Sequence, residues 1–395
     1  MKFNYFYIIL LIHDLNILFS FSSNENKFVK ISYSGDNLIP TINVKIKDKE
    51  IETLLDNNLH FNYISTKNLN LADINFHYNN DKININTKIY EAYFYIGDIS
   101  LYDEKNYIHL ENFNSFVIDD KNIFSAITVS YLLDQLKEES FINKKIFYLD
   151  INNKNCFFGE IPLNSREYSK LNYYDKFKHA TFFSNNTKGV FKQEMNELLI
   201  DDYSLIKNKL ISFCINEYYS IIPYTLLNDI IKNKIMAKLD CSLTLVDKRG
   251  IYGMKCNKNN MEYLPNIYFI FKNNYTFIFP LKLLFDDFDD SYKISIFRTK
   301  LKYNDLNEED KEEEEDEIII GYSIIKYFNF SIFSYEERCV TFFSELFISE
   351  HPLIFLNKII NPLLYFLMLL LFISLPFLIY TKFKMKYLKC EFNNF

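Results

Sequence analysis

Leu54-Leu55-Asp56-Asn57-Asn58-Leu59-His60-Phe61-Asn62-Tyr63-Ile64 decides how the chain is read. Two leucines run straight into an acid, two asparagines follow, and aromatic and aliphatic residues resume. An aspartate at the end of an apolar strand is costly unless its charge is hydrogen-bonded, and Asn-Asn supplies a turn that can do this. A fainter copy stands at Ile211-Ser212-Phe213-Cys214-Ile215-Asn216-Glu217-Tyr218-Tyr219, ending at Ile221-Ile222-Pro223. Both put a small polar residue after a hydrophobic run and an Asn two positions later. Two such strand–turn units, one per half, predict a two-lobed protein with a pseudo-twofold axis.

The 395 residues hold two lobes of ordinary domain size. With 49% hydrophobic and 18% aromatic residues, a large core can be filled. Only seven residues are Gly. The net charge of −7 is local: residues 308–317 hold nine acids and one lysine, so the rest carries a net +1. No basic face points to nucleic acid. The acidic run reads as a solvated loop. No ligand spacing suggests a metal, and nothing calls for a cofactor.

Both ends are apolar. Met1-Lys2 precedes a run from Tyr5 to Ile12, with Ser20, Ser22 and Ser23 after it, as in a secretory signal peptide over residues 1–23. Residues 363–380 are apolar except Ser374 and Pro376. Eighteen helical residues rise about 27 Å, enough to cross a bilayer core. With Asn361-Pro362 opening the helix, the span is placed at 359–380. Lys382, Lys384, Lys386 and Lys389 follow, so residues 381–395 are expected in the cytosol and the body on the lumenal or extracellular side. This makes a single-pass type I protein of the secretory pathway or cell surface. Sequons at Asn185, Asn274 and Asn329 agree with that side.

Between the ends, short alternating runs predict strands at 28–34, 41–47 and 50–55. Residues 89–98 read as a strand pair turning at Gly97-Asp98. A helix is predicted over 130–140, where Leu132, Leu133 and Leu136 make one stripe. A hairpin spans 145–150 and 156–161. Residues 162–198 read as polar and irregular. A strand at 210–215, a helix at 224–236, a hairpin over 267–271 and 275–279, and a strand at 294–297 follow. Residues 318–321 and 328–343 read as strands of a final sheet.

In this order and spacing the chain resembles the pepsin-like aspartic proteases, more specifically a membrane-anchored, plasmepsin-like member. Asp56 stands at the first catalytic position, with Asn57 and Asn58 where Thr and Gly belong. Pro223, at the family's usual distance, sets Cys214, Ile215 and Asn216 on the second Asp, Thr and Gly. Ile318-Ile319-Ile320-Gly321 resembles the second lobe's backing strand. Leu133-Asp134-Gln135-Leu136, Phe158-Gly159-Glu160-Ile161 and Leu264-Pro265-Asn266-Ile267-Tyr268-Phe269 resemble further family segments. The resemblance implies a mainly β, bilobal pepsin-like double β-barrel with short helices and a C-terminal transmembrane helix. Its lobes would be residues 27–187 and 188–348. It places Gly321 behind Cys214 and Ser125 behind Asp56. Tyr78, before Asn79-Asn80-Asp81, becomes a candidate flap residue, packing elsewhere being the alternative. It pairs Cys241 with Cys256, as small second-lobe loops in the family are paired, and leaves Cys156 and Cys339 without obvious partners.

The family's chemistry needs two carboxylates sharing one proton around a water. Asp56 alone cannot form that pair, and a thiol at Cys214 is a poor substitute for the acid. Ile215 lacks the hydroxyl that Thr would supply. Cys214 as a nucleophile would need a histidine activator, and only His60 and His77 lie near the motifs. Asn tolerates positive φ better than other non-Gly residues, so Asn58 and Asn216 are expected to keep the turn shape. Two readings follow: a noncatalytic pseudoprotease binding an extended peptide or protein, or an active endopeptidase with a divergent site.

Overall fold

The structure is a computed structural model that describes residues 27–34, 39–66, 77–85, 88–103, 106–121, 123–161, 177–184, 191–201, 203–232, 240–247, 251–273, 275–300, 317–350, 365–377 and 379–382. The protein is mainly β. The first strands are β1 (Phe28–Ser32), β2 (Thr41–Ile46), β3 (Lys49–Asp56), β4 (Tyr63–Ser65), β5 (His77–Ile85), β6 (Lys88–Asp103), β7 (Asn106–Ile118), β8 (Ser125–Thr128), β9 (Ile146–Asp150), β10 (Asn155–Gly159) and β11 (Lys178–Phe183). Then come β12 (Lys192–Ile200), β13 (Tyr203–Phe213), β14 (Ser220–Ile221), β15 (Cys241–Asp247), β16 (Ile251–Asn257), β17 (Asn266–Phe271), β18 (Tyr275–Pro280), β19 (Phe285–Asp287), β20 (Tyr292–Lys300), β21 (Glu317–Ile320), β22 (Phe330–Ser334), β23 (Cys339–Ser344) and β24 (Ile348–Glu350).

Alternation explains the outer strands. In β2, Ile42, Val44 and Ile46 are buried while Asn43 faces out; in β3, Ile51 and Leu55 are buried while Glu50 and Glu52 face out. Strands covered on both faces lose the alternation: every residue of β23 is buried.

The same seven-strand pattern occurs twice. One sheet runs β2-β3-β8-β4-β7-β6-β5, and a larger one contains β12-β13-β21-β14-β20-β16-β15. Orientations repeat as well. β3–β8 and β13–β21 are parallel, as are β4–β7 and β14–β20; β4–β8 and β14–β21 are antiparallel. The copies then diverge. A β2–β6 pairing closes the first sheet on itself, whereas the second continues through β17, β18 and β24. A third sheet, β1-β10-β9-β22-β23-β11, takes strands from both halves. A phenylalanine cluster fills the core beneath the second copy: Phe182–Phe271 ring centroids lie 4.7 Å apart, Phe213–Phe342 4.8 Å and Phe271–Phe277 4.9 Å.

The helix Val129–Glu138 buries Val129, Leu132, Leu133 and Leu136, as its stripe requires. The helix Tyr224–Lys232 likewise buries Leu226, Leu227 and Ile230; the remainder of the expected 224–236 helix lies outside the described residues. Tyr365–Lys382 is a helix long and apolar enough to cross a membrane by length and composition, and none of its described residues is buried in the protein. The signal segment, residues 359–364, 383–395 and the acidic run up to residue 316 lie outside the described residues.

Three expectations are corrected. Gly97-Asp98 is a bulge within the continuous strand β6, where the register with β7 shifts; Asp98 Oδ1 accepts the Asn112 N–H at 3.2 Å. A Gly-Asp pair marks a bulge as readily as a turn. Residues 162–198 are not irregular throughout, because β11 and the start of β12 lie there, carried by Ala180, Phe182, Met195 and Leu198 in the core. Finally, residues 318–321 and 328–343 do not share a sheet: β21 sits inside the second copy, whereas β22 and β23 lie in the shared sheet. The four-residue helix Tyr322–Ile325 between them turns the chain from one sheet to the other.

Candidate functional site

Asp56 ends β3, in register with Thr128 of the adjacent parallel strand β8, and is only 1% exposed. Its Oδ1 accepts the N–H groups of Asn58 at 2.7 Å and Leu59 at 2.9 Å, so the Asn-Asn turn closes on the carboxyl. In the second copy, β13 ends at Phe213, and the Cys214 N–H donates to Ile320 O at 2.9 Å. The motifs of the two halves therefore sit at equivalent ends of equivalent strands.

They also touch. Asn57, 2% exposed, donates from Nδ2 to Phe213 O at 2.8 Å and accepts the Ile215 N–H on Oδ1 at 2.9 Å. One side-chain amide holds the backbone on both sides of Cys214. Ile215 is fully buried and returns no side-chain hydrogen bond. The side-chain grip at this junction therefore comes from the Asn57 side alone.

Asn216 lies between the two motif residues. Its Nδ2 donates to Asp56 Oδ2, and its Oδ1 accepts the Cys214 thiol. The chain thiol–amide–carboxylate runs across the junction. Neither Asn58 nor Asn216 has positive φ, so the expectation of left-handed turns is corrected. Asn58 contributes its backbone N–H to Asp56, and the Asn216 side chain forms the bridge.

Gly321 follows β21 with its N–H donating to Ser220 Oγ at 3.0 Å. A Cβ there would stand 2.4 Å from Tyr219 O and 2.7 Å from Glu217 O, so only glycine fits. Ser125 lies at the start of β8, opposite Thr53, and accepts the Ser65 N–H at 3.0 Å. Tyr78 is on β5; its side chain is outside the described residues. Cys241 and Cys256 form a disulfide. Cys156 and Cys339 are free and buried. Of the sequons, Asn185 and Asn274 are outside the described residues, and Asn329 is half-buried with its side-chain oxygen accepting the Glu345 N–H.

The electrostatics follow from burial. Desolvation pushes the Asp56 carboxyl up to about 6, against the pull of the Asn58 and Leu59 N–H groups; Glu217 adds to the rise. Burial, and then the charge of Asp56, push the Cys214 thiol well above its usual range. Cys214 therefore stays protonated, and its sulfur is bonded to an amide rather than to a histidine. An amide neither takes up nor gives up a proton in the pH range of life, so the bridge cannot relay one.

The sequence reading missed the double grip of Asn57, and it missed Asn62. Asn62 is 2% exposed, donates to Asn114 O at 2.9 Å and accepts the Thr128 N–H at 2.8 Å, tying the Asp56 turn to β7 and β8. Its place directly before Tyr63-Ile64 was the available signal. Arg298 was missed too, although an arginine in the apolar run Ile294-Ser295-Ile296-Phe297 stands out.

No protein-family profile matches the sequence, and no curated protein gives a significant match. Solved structures do match. The fold is shared with seed globulins. Conglutin gamma, a basic 7S globulin from lupine seeds, superposes with a TM-score of 0.59 at 10% identity, over 81% of this chain and 95% of its own. Basic 7S globulin from soybean superposes with a TM-score of 0.58 at 9% identity, over 80% and 94%. These globulins are distant relatives of the pepsin-like aspartic protease fold. At such identity the likeness concerns the fold alone. The disulfide and the apolar C-terminal helix fit a secretory or membrane protein.

Proposed function

We propose that this protein is a noncatalytic, membrane-anchored pepsin-like module that binds an extended peptide or protein segment between two lobes, 27–187 and 188–348. The repeated seven-strand pattern supports the bilobal double-barrel reading. One observation carries the loss of catalysis: the Asn216 amide occupies the line between Asp56 and Cys214. A shared-proton pair needs two carboxyls there. Binding by strand-like backbone bonds and side-chain pockets needs neither. The helix Tyr365–Lys382 supports the membrane anchor and a plasmepsin-like layout, and Lys382, Lys384, Lys386 and Lys389 after it support a lumenal or extracellular body. No nucleic acid, metal or cofactor enters this reading.

The test uses the full chain in detergent, wild type beside Asp56→Ala, on a diverse peptide library from pH 4 to 7. Peptides bound but left intact are the expected result. Cleavage that disappears in Asp56→Ala would overturn the reading in favour of a divergent endopeptidase. That alternative draws on the Asp56 value of about 6, which lies in the working range of a general acid or base. Orientation is tested separately, with a tag after Phe395 in sealed vesicles: digestion from outside is expected, and protection contradicts the topology.

A further inference from the structure

Among the described residues Arg298 is one of the largest fully buried side chains, at 1% exposure. It lies on β20, in register with Ile221 of β14 and Gly253 of β16. Its Nη1 donates to Phe297 O at 3.2 Å. Nε and Nη2 are buried and make no hydrogen bond of normal geometry, the Tyr219 hydroxyl being the polar side-chain group that approaches the guanidinium. Those two nitrogens lie on one edge of the guanidinium, the edge that grips a carboxylate with two parallel hydrogen bonds. Among the described residues no carboxylate forms an ion pair with it. Asp286 acts on Arg298 only through its field, and its Oδ2 instead accepts the Tyr218 hydroxyl at 3.2 Å.

The surroundings make room for this cation. A Cβ at Gly253 would come within 2.8 Å of Nη1, so the guanidinium uses the space that a side chain would fill. Tyr219 stacks on it with Cζ 4.0 Å from the ring centroid, and Tyr218 packs edge-on against Tyr219 at 4.8 Å. Both tyrosines are only partly buried. The Tyr219 backbone carbonyl abuts Gly321, so the residue that stacks on the cation belongs to the same turn that follows Cys214 and Asn216. Burying a cation with two idle donors is costly, and an anion that fits the idle edge offsets that cost.

We propose that the Nε–Nη2 edge of Arg298 is the floor of a carboxylate-recognising subsite at the Cys214–Gly321 end of the cleft. It takes an acidic side chain, or the terminal carboxylate, of the bound peptide once the Tyr219 ring swings aside. The inference rests on the peptide-binding reading and names the chemistry that reading selects.

The experiment measures binding of three fluorescent peptides to the full chain in detergent. They share one extended apolar sequence: one amidated with a central Glu, one amidated with Gln there, and one with Gln and a free C-terminus. About tenfold tighter binding of the Glu or the free-acid peptide over the amidated Gln peptide is expected, and the arm that gains names the source of the carboxylate. The preference should vanish in Arg298→Met, which keeps the stem, and shrink in Arg298→Lys, which keeps the charge and serves if the Met variant fails to fold. Equal affinities in the wild type, or a preference that survives Arg298→Met, overturn the proposal. A second readout separates it from the cleft reading. Millimolar glutarate, against chloride at equal ionic strength, should raise the melting temperature of the wild type and not of Arg298→Met. If no peptide binds but glutarate stabilises, the cleft reading falls and the anion subsite stands. If peptides bind alike and glutarate does nothing, the subsite falls and the cleft stands.

Discussion

Asp56 is held by hydrogen bonds that suit its charge in a place that opposes it. Burial wins, lifting the carboxyl from 3.8 to about 6. The folded form therefore holds its proton to higher pH than the unfolded chain does. The stability this contributes is fully present below the ordinary carboxylate value and is lost as pH rises through about 6. The loss between these limits is on the order of 3 kcal/mol. Wild type should lose stability relative to Asp56→Asn across that window and run level with it above, as denaturant titrations at stepped pH would record. Asn57 gives a second prediction at this scale. Removing its amide strands Phe213 O and the Ile215 N–H, both buried. Asn57→Ala should cost roughly 3 kcal/mol in urea unfolding. Asn57→Thr should recover part of it, because a hydroxyl both donates and accepts.

Elements depend on smaller contacts. At Gly321 a methyl group would press on the carbonyls of Glu217 and Tyr219, which belong to the neighbouring turn and cannot rotate away. Gly321→Ala should cost about 2–3 kcal/mol, read from the shift of the urea midpoint. The Cys241–Cys256 bridge joins β15 to β16 across 15 residues of sequence. Opening it should remove about 3 kcal/mol by loop entropy, seen as a lower melting temperature under reducing conditions. Much at this scale was legible beforehand. The stripe of Leu132, Leu133 and Leu136 and the apolar run into Asp56 each carry a local signal, whereas the Cys241–Cys256 pairing came only with the family resemblance. What escaped had no local signal. Gly97-Asp98 reads alike as turn and bulge, and only the pairing with β7 decides. Asn216 reads as a turn residue, and only Asp56, 160 positions away, makes it a bridge.

At the scale of the whole molecule the shared sheet decides behaviour. β9 pairs with β22, and β11 with β23, so the halves are joined by backbone ladders rather than by side chains alone. The Tyr33 and Tyr322 hydroxyls, 3.2 Å apart, add a buried tie between them. A single calorimetric transition is expected for the body of the protein, with no separate melting of either half. The doubled strand order could be anticipated from the echo of Asp56-Asn57-Asn58 in Cys214-Ile215-Asn216. The third sheet could not, because its strands are spread from residue 28 to residue 344 and carry no common motif.

That sheet has a history as well as a shape. Its order places β22 and β23 between β9 and β11, although a ribosome makes them last. Until residues 330–344 emerge, β9 has one bare edge and β11 has no partner in the sheet; β9 carries Ile146, Phe147, Tyr148 and Leu149, and β11 carries Phe182 and Phe183. Bare apolar edges invite other chains. A nascent molecule thus passes most of its synthesis with its central seam unsewn, in need of an escort. A message truncated shortly before codon 330 should yield a protein that is sticky as well as incomplete.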